Sequence, residues 1–467
     1  MKTTVVILAA GLGTRMRSKQ AKVLHRAGGL SLVEHVVQAA SAVAPRDRIV
    51  VVTGHQADTV EALLQPMGVR FARQVQQKGT GHAVMCAREQ LQQADPKQDG
   101  LLLVLYGDTP LLSAAALKQL HDHQAVSGGA ATLITTTLDN PSGYGRVILD
   151  KGGNVLNIVE HKDATPAQLA VRVINSGIYC FRAKLLWKYI GEIKPNAASG
   201  ELYLTDMAEI LNRHGQRVES LHLDDSSELL GINTRIELAE ADGILRARKT
   251  RELMLAGVTI ERPDTVVIDA QVRVGADTVI EPFARLLGNT AVGEDCRIGQ
   301  GAILESAGLA DRVSIAPYTL VADSRIDPGA QVGPFARLRM QAQVGPEARV
   351  GNFVELKKTR LGAGAKSQHL AYLGDAEIGE NVNIGAGTIT CNYDGEKKHP
   401  TKIGAGAFIG SNSTLVAPVE ISQDSYVAAG SVITEAVPTH ALALGRARQV
   451  NKPGWVKNRK KKVSKKN

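Results

Sequence analysis

The stretch Ala291-Val292-Gly293-Glu294-Asp295-Cys296-Arg297-Ile298-Gly299-Gln300-Gly301-Ala302-Ile303-Leu304 sets an aliphatic residue at every sixth position (Val292, Ile298, Leu304), twice followed by glycine. A period of six is neither the 3.6 of an α-helix nor the 2 of a lone strand. It describes a chain making one short strand and one turn per hexapeptide, the aliphatic side chain pointing inward and a small residue easing the turn. The same beat recurs at Ile326, Val332-Gly333, Leu338, Val344-Gly345, Val350-Gly351 and Leu356, then at Ile378-Gly379 and Ile384-Gly385. It returns at Ile403-Gly404, Ile409-Gly410, Leu415, Ile421, Val427 and Ile433. Three hexapeptides make one triangular coil, whose aliphatic face is buried only by stacking on the neighbouring coils.

This periodicity resembles the left-handed parallel β-helix of the hexapeptide-repeat family, and it occupies the chain from Gly257 onward. The frame slips between Leu304 and Ile315, Val321 and Ile326, Leu356 and Ile378, and Ile384 and Ile403. Each slip is expected to be an insertion looping out of a coil. Two of them contain the most chemically loaded residues of this half.

Upstream, residues 231–256 alternate charged and apolar positions (Ile236, Leu238, Ala241, Leu245) without proline, which predicts a linker helix ending near Gly257. Residues 1–230 follow a different rule. Apolar runs at Thr3–Ala9, Arg48–Thr53 and Leu101–Tyr106 read as buried strands, and Ser31–Ala42, Gly79–Leu91 and Ser113–Ala125 as helices. Strands alternating with helices predict a Rossmann-like α/β domain with a mostly parallel sheet, whose ligands bind beyond the carboxyl ends of the strands. Gly11 and Asp108 fall at that edge.

Composition narrows the setting. Aromatic residues make up 4% of the chain and 46 residues are glycine, as tight turns and thin, evenly packed layers require. Cys86, Cys180, Cys296 and Cys391 are scattered, without a CxxC pair, which favours a reducing cytoplasm and argues against structural zinc. The short apolar run after Met1 flows into Gly11 without a cleavage site, so no signal peptide is expected, and no stretch is long enough for a membrane span. Seven basic residues crowd into the tail 457–467, and removing those charges lowers the net charge from +9 to +2. The basicity therefore belongs to a solvated, disordered end and implies no specific nucleic-acid partner.

Leu8-Ala9-Ala10-Gly11-Leu12-Gly13-Thr14-Arg15-Met16 follows the first strand. Glycines there let backbone amides approach a phosphate or base, and Arg15 adds a charged clamp. The third glycine of a dinucleotide fingerprint and the Gly-Lys-Ser/Thr of a P-loop are both missing. Transfer of a nucleotidyl group asks the protein mainly to neutralise charge and align partners. Asp108, ending Tyr106-Gly107-Asp108, suits a Mg²⁺ that takes one or two protein oxygens and keeps waters and phosphates for the rest.

With Lys22 in Ala21-Lys22-Val23-Leu24, the loop resembles the sugar-phosphate nucleotidyltransferases. That resemblance implies that residues 8–11, Arg15 and Lys22 bind the nucleoside triphosphate and that Asn233 joins Asp108 on the metal. Gln74 and Gly79-Thr80-Gly81-His82-Ala83 resemble the uracil-recognising segment of uridyltransferases. Gly143-Tyr144-Gly145-Arg146, Ile158-Val159-Glu160-His161-Lys162 and Ile174-Asn175-Ser176-Gly177 resemble their sugar-binding elements, which implies Gly145, Glu160 and Asn175 as contacts. His82 and His161 are expected to be structural, since this transfer needs no imidazole base.

In the C-terminal half, His369 in Gln368-His369-Leu370-Ala371-Tyr372-Leu373-Gly374-Asp375 stands in a frame slip. A neutral imidazole is the natural base for an amine attacking a thioester. Arg339, Lys357 and Tyr372 could hold a sugar phosphate, whose charge demands cations. Gly333-Pro334-Phe335-Ala336-Arg337-Leu338-Arg339, Gly351-Asn352-Phe353-Val354-Glu355-Leu356-Lys357-Lys358 and Gly385-Ala386-Gly387-Thr388-Ile389-Thr390-Cys391-Asn392-Tyr393-Asp394-Gly395 carry a closer likeness. They are similar to the bacterial family of bifunctional N-acetylglucosamine-1-phosphate uridyltransferases/glucosamine-1-phosphate N-acetyltransferases, and the likeness spans nearly the whole chain.

The resemblance implies His369 as base on the glucosamine 2-amine. It implies Arg339, Lys357, Tyr372, Asn383 and the Asn392-Tyr393 pair around the sugar phosphate. That pair, with Ala386, Ser411, Ala429 and Arg446, is also implied at acetyl-CoA, the Ala386 amide being a possible oxyanion donor. It further implies a homotrimer whose subunits share acetyl-transfer sites, UTP as the second cosubstrate, and acetylation of glucosamine-1-phosphate before uridylation of N-acetylglucosamine-1-phosphate. A nucleotidyltransferase with a purely structural β-helix, or a binding scaffold, would leave His369 and Asn392-Tyr393, or the Gly-x-Gly-Thr-Arg-Met loop, without purpose.

Overall fold

The computed structural model describes residues 2–197 and 199–463, with side chains through Arg459. The chain forms two compact units that divide between Arg248 and Lys249.

Unit one is a mixed sheet flanked by helices. Its strands are β1 (Thr3–Leu8), β2 (Ile49–Thr53), β3 (Arg70–Arg73), β4 (Leu101–Tyr106), β5 (Ala131–Thr137), β6 (Arg146–Leu149), β7 (Val155–Val159), β8 (Val173–Arg182) and β9 (Val218–His222). The main order is β9-β5-β8-β4-β1-β2-β3, and β8 runs antiparallel to both neighbours. The central strands are Val/Leu/Ile runs buried along their length, as strands covered on both faces must be. β1 and β4 are paired in parallel with Leu8 opposite Tyr106, so the loops starting at Ala9 and Gly107 leave the sheet side by side. A helix at Leu32–Ala40 begins in a capping box between Ser31 and Glu34. The single helix expected over Gly79–Leu91 is two, Thr80–Cys86 and Arg88–Ala94, because the Ala87 amide turns back onto the Val84 carbonyl and tightens the last turn.

Unit two is the expected left-handed parallel β-helix: three parallel sheets of 11, 10 and 9 short strands, one strand per coil in each. Inward Val, Ile, Leu and Ala residues stack into one continuous core from Leu253 to Val437. Buried hydroxyls satisfy turn carbonyls between the layers: Thr278 donates to Gly293, Thr359 to Leu373 and Ser413 to Gly410.

Three of the four expected insertions are not insertions. Leu309 continues the inward column five residues after Leu304, and Ile326 follows Val321 at the same short interval. Between Leu356 and Ile378 the column runs through Leu361, Ser367 and Leu373, all fully buried. A turn shortened by one residue shifts the frame without ejecting any chain. Ser367, polar at an inward position, concealed the repeat further. His369 therefore ends a strand, Lys366–His369, paired with Arg349–Asn352 below it. The true excursion lies between strands Ile389–Cys391 and Thr401–Ile403, where the register partners Asn383 and Phe408 are 25 residues apart instead of the usual 17 or 18.

The tail also departs from expectation. Trp455–Val463 is a helix, in keeping with the good helix propensity of Lys and Arg after the Pro453-Gly454 turn. The end of that tail, 464–467, lies outside the described residues.

Candidate active sites

In unit one the chain leaves β1 with Leu8, Ala9 and Ala10 buried, then exposes Gly11 and Leu12. Gly13 adopts a left-handed φ of 63°, and a Cβ there would sit 2.6 Å from the Lys22 Cβ. Glycine is thus what lets the loop fold back over Lys22. The Lys22 ammonium donates to the Asp108 carboxylate and to the Asn233 side-chain oxygen at 3.2 Å. Arg15 donates to that same oxygen at 2.8 Å. Four residues drawn from three distant stretches meet at one point.

Asp108 and Asn233 present their oxygens to a common cation, which in this structure is the Lys22 ammonium. Among the described residues no group of three or more His, Cys, Asp or Glu is placed to hold a metal ion. That donor set fits a Mg²⁺ held by two protein oxygens and otherwise by water and phosphate.

Around this point the other expected residues fall into two groups. Gln74, buried, donates to the Gly79 carbonyl and contacts His82 Nδ1, each at 3.0 Å. Thr80 accepts from the Leu204 amide and hydrogen-bonds Tyr106, whose phenol burial pushes up. Gly107 donates to the Leu8 carbonyl, tying the two loops together. In the second group, the Asn175 amide donates to the Gly145 carbonyl at 2.9 Å, and its side chain bonds Tyr179. Glu160 lies beside Gly145, and burial raises its carboxyl above the usual range despite Lys162 and Thr205. His82 and His161 sit in structural contacts with Gln74 and Arg146.

Glu237 is a residue the sequence reading passed over. Its carboxylate accepts from the Asn233 and Thr234 amides at 2.6 and 2.8 Å and fixes Asn233 in place. The signal was available, since Thr234-x-x-Glu237 is a capping-box pattern.

In unit two, one corner of the solenoid gathers Ala386, Ser411, Ala429 and Arg446, four of the six residues expected at acetyl-CoA, but not Asn392 or Tyr393. The amides of Leu370, Gly387, Asn412 and Gly430 donate to the carbonyls of Asn352, His369, Ala386 and Ser411 respectively. Asn352, His369, Ala386, Ser411 and Ala429 therefore occupy one corner position in successive coils, and Arg446 lies beside Gly430 at the top. His369 is exposed, with Nδ1 against Asn352 Oδ1. Up to and including the level of His369 the neighbouring column is bulky and apolar (Tyr318, Phe335, Phe353, Leu370). In the coils above, that column becomes Gly387, Asn412 and Gly430.

A second cluster lies on the next sheet, where Arg339, Lys357 and Gly374 are register partners. Lys357 is 3% exposed and donates to Asp375 at 2.6 Å. Asp375 also accepts from the Asn392 amide. Arg339 donates to Glu355 at 2.6 Å. Lys398, from the true excursion, reaches Lys357, and that ammonium pulls Lys398 below the usual amine range, with Arg339 adding to the effect. A Cβ on Gly374 would meet the Tyr372 hydroxyl at 2.6 Å and the Asn392 amide at 2.8 Å, so both side chains close over that glycine. Lys357, Asp375 and Lys398 border a groove of about 1290 Å³.

Asn383 stands elsewhere, on the sheet of the His369 strand beside Lys366. Tyr393 turns its hydroxyl to Gly395 within its own loop. Asp375, Asn352 and Lys398 are additions to the expected set. Asp375 was hidden because its partners come from other coils.

Comparison with known proteins gives these sites a context. Residues 5–168 match the family model of the MobA-like NTP transferase domain, and residues 400–435 that of the hexapeptide repeat of succinyl-transferase. The chain is 56% identical over 458 residues to the bifunctional protein GlmU of Solibacter usitatus (strain Ellin6076), covering 98% of this chain and 97% of the relative. It is 46% identical over 468 residues to that of Koribacter versatilis (strain Ellin345), covering 100% and 99%, and 45% identical over 456 residues to that of Geobacillus sp. (strain WCH70), covering 98% of each.

Proposed function

This chain belongs to the GlmU family of bifunctional proteins, and from that we propose how its residues divide the work. It is a bifunctional uridyltransferase and acetyltransferase that makes UDP-N-acetylglucosamine. The observation that carries the residue assignment is that each unit gathers its own cluster of cations with oxygen-bearing partners. Unit one sets Arg15 and Lys22 with Asp108 and Asn233, and unit two sets Arg339, Lys357 and Lys398 with Glu355 and Asp375.

The C-terminal half acts first. Arg339 and Lys357, with Lys398, take the phosphate of glucosamine-1-phosphate, Tyr372, Asn392 and Tyr393 bound the sugar, and Asn383 approaches it from the sheet of His369. Nε2 of His369 removes a proton from the 2-amine as the nitrogen attacks the thioester carbonyl of acetyl-CoA. The Ala386 amide donates to the developing oxyanion. The C–S bond then breaks, and the imidazolium returns its proton to the departing CoA thiolate. Acetyl-CoA rises along the corner column past Ser411 and Ala429 to Arg446.

The N-terminal half then joins N-acetylglucosamine-1-phosphate to UTP. A phosphate oxygen of the sugar attacks the α-phosphorus in line, and the bond to the leaving pyrophosphate breaks. Arg15 and Lys22 neutralise the triphosphate over the loop 8–11, Gln74, Gly79 and Thr80 read uracil, and Tyr106 and Gly107 line the site. Gly145, Glu160 and Asn175 hold the N-acetylated sugar. Asp108 and Asn233 hold Mg²⁺, which supplies charge neutralisation at the phosphates when bound.

Three copies of the chain associate through their β-helices. Supporting this, Tyr318, Phe335 and Phe353 stack at 5.5 and 5.4 Å along the solenoid corner while each remains about half exposed. A continuous apolar ladder of this kind calls for cover. The protein works in the cytoplasm, as its four unpaired cysteines suit; among the described residues no helix is long and apolar enough to cross a membrane.

The test supplies the intact protein with glucosamine-1-phosphate, UTP, Mg²⁺ and acetyl-CoA. CoA release followed by pyrophosphate release is expected, the second dependent on the first. Pyrophosphate formed at the same rate without acetyl-CoA would overturn the proposed order.

A further inference from the structure

The loop that carries Arg15 and Lys22 has little structure of its own. Between β1 and the short turn at Lys22–Leu24 it holds only a three-residue 3-10 turn at Thr14–Met16. Its position is set from outside, by two glutamines at its two ends. Gln77 Nε2 donates to the Ala10 carbonyl at 2.6 Å, where the chain leaves β1. Gln56 accepts from the Ala21 amide at 2.8 Å and donates to the Lys19 carbonyl at 2.7 Å, just before Lys22.

Gln56 serves the following helix with its backbone alone, its carbonyl accepting from the Thr59 and Val60 amides. It occupies the N-cap of the helix Ala57–Leu64, yet its side chain caps nothing there. It also holds a left-handed φ of 54°, a conformation unfavourable to glutamine. Its side chain is engaged entirely with the loop, as a two-pronged clamp on a backbone carbonyl and a backbone amide. Strain tolerated at a residue whose side-chain bonds both serve a charged loop indicates a positioning role.

The geometry points to Gln56 and Gln77 as positioning residues for uridyl transfer: together they hold the two ends of the phosphate loop, so that Arg15 and Lys22 meet the triphosphate in register. The inference rests on the uridyltransferase reading above and deepens it. Neither glutamine touches the elements around Gly145, Glu160 and Asn175, so the sugar side should be indifferent to them.

The test measures initial-rate kinetics of pyrophosphate release by the full chain with UTP and N-acetylglucosamine-1-phosphate. Gln56→Gly keeps the left-handed turn and deletes the clamp. Gln77→Glu keeps the shape but sets a carboxylate against the Ala10 carbonyl. Each is expected to lower kcat/KM for UTP about ten- to a hundred-fold, as loss of alignment does. KM for N-acetylglucosamine-1-phosphate, the thermal midpoint and acetyl-transfer rate should stay at wild-type values. Gln56→Glu retains the bond from the Ala21 amide and loses the one to Lys19, and should fall between. A merely structural role predicts the reverse pattern, a lower thermal midpoint with unchanged kcat/KM, and that result overturns the inference. So does wild-type kcat/KM in both variants. A wild-type chain that releases no pyrophosphate overturns the uridyltransferase reading itself, and the clamp with it.

Discussion

His369 Nδ1 lies 2.8 Å from Oδ1 of Asn352, its register partner one coil below. An amide oxygen can only accept, so Nδ1 carries the ring proton and Nε2 keeps a free lone pair for the substrate amine. His369→Ala should cut CoA release by about a hundred-fold or more while leaving pyrophosphate release from UTP intact. Asn352→Ala should lower kcat for acetyl transfer about ten-fold with little change in KM for acetyl-CoA, because it frees the ring to rotate. Equal damage to both activities by His369→Ala would sink the two-site reading.

Asp108→Ala should show the mirror image. Pyrophosphate release is expected to fall by about a hundred- to a thousand-fold, from loss of charge stabilisation around the phosphates. CoA release with glucosamine-1-phosphate should be unchanged. Removing divalent ions with a chelator, then assaying both products, should reproduce that asymmetry in the wild-type protein.

Asp375 links stability to pH. Burial alone would raise its carboxyl, but the hydrogen bonds from Lys357 and Asn392 outweigh burial and hold it below the ordinary 3.8. The folded state therefore favours the ionised form. Its contribution is complete above the unfolded value and is lost as pH falls through the folded one. The urea midpoint of wild type should exceed that of Asp375→Asn at pH 7, and the gap should close below about pH 4. A gap that is constant across this range would mean the ion pair is not its source.

Gly374→Ala forces the Tyr372 hydroxyl and the Asn392 amide apart, since neither position leaves room for a Cβ. A loss of about 1–3 kcal/mol in chemical denaturation is expected. KM for glucosamine-1-phosphate should rise with it, whereas uridyl transfer should not respond.

The aromatic ladder gives a test of assembly. Replacing Phe335 and Phe353 together by Ser leaves the inward core untouched, because both rings are about half exposed. Light scattering should report a trimer for wild type and smaller species for the double variant. A trimer of unchanged stability on dilution would assign the interface to another face.

Much of this was legible in the sequence because it is local. The six-residue beat depends on neighbours along the chain, and so do the apolar strand β1 and the glycine loop after it. The beat became illegible where Ser367 and Thr390 took inward positions and where turns shortened by one residue imitated insertions. His369 was found for its chemistry but set in the wrong local structure for that reason. The long-range partnerships left no such trace. Lys22 meets Asp108 from 86 residues away and Gln77 meets Ala10 from 67, and no spacing rule covers either. Glu237 differs, since its capping-box pattern with Thr234 stood in plain view.

The helix Arg235–Leu255 has a bearing on how the two halves can be separated. Its first part belongs to unit one, where Ala241 is buried with Ala27, Leu32, Leu111 and Ile232. Its last part belongs to unit two, where Leu253 forms one end of the β-helix core. A chain cut before the helix loses a packed wall of the first unit, and one cut after it leaves the second unit uncapped. Any single cut beside this helix therefore takes a buried residue from one of the two cores, Ala241 from the first or Leu253 from the second.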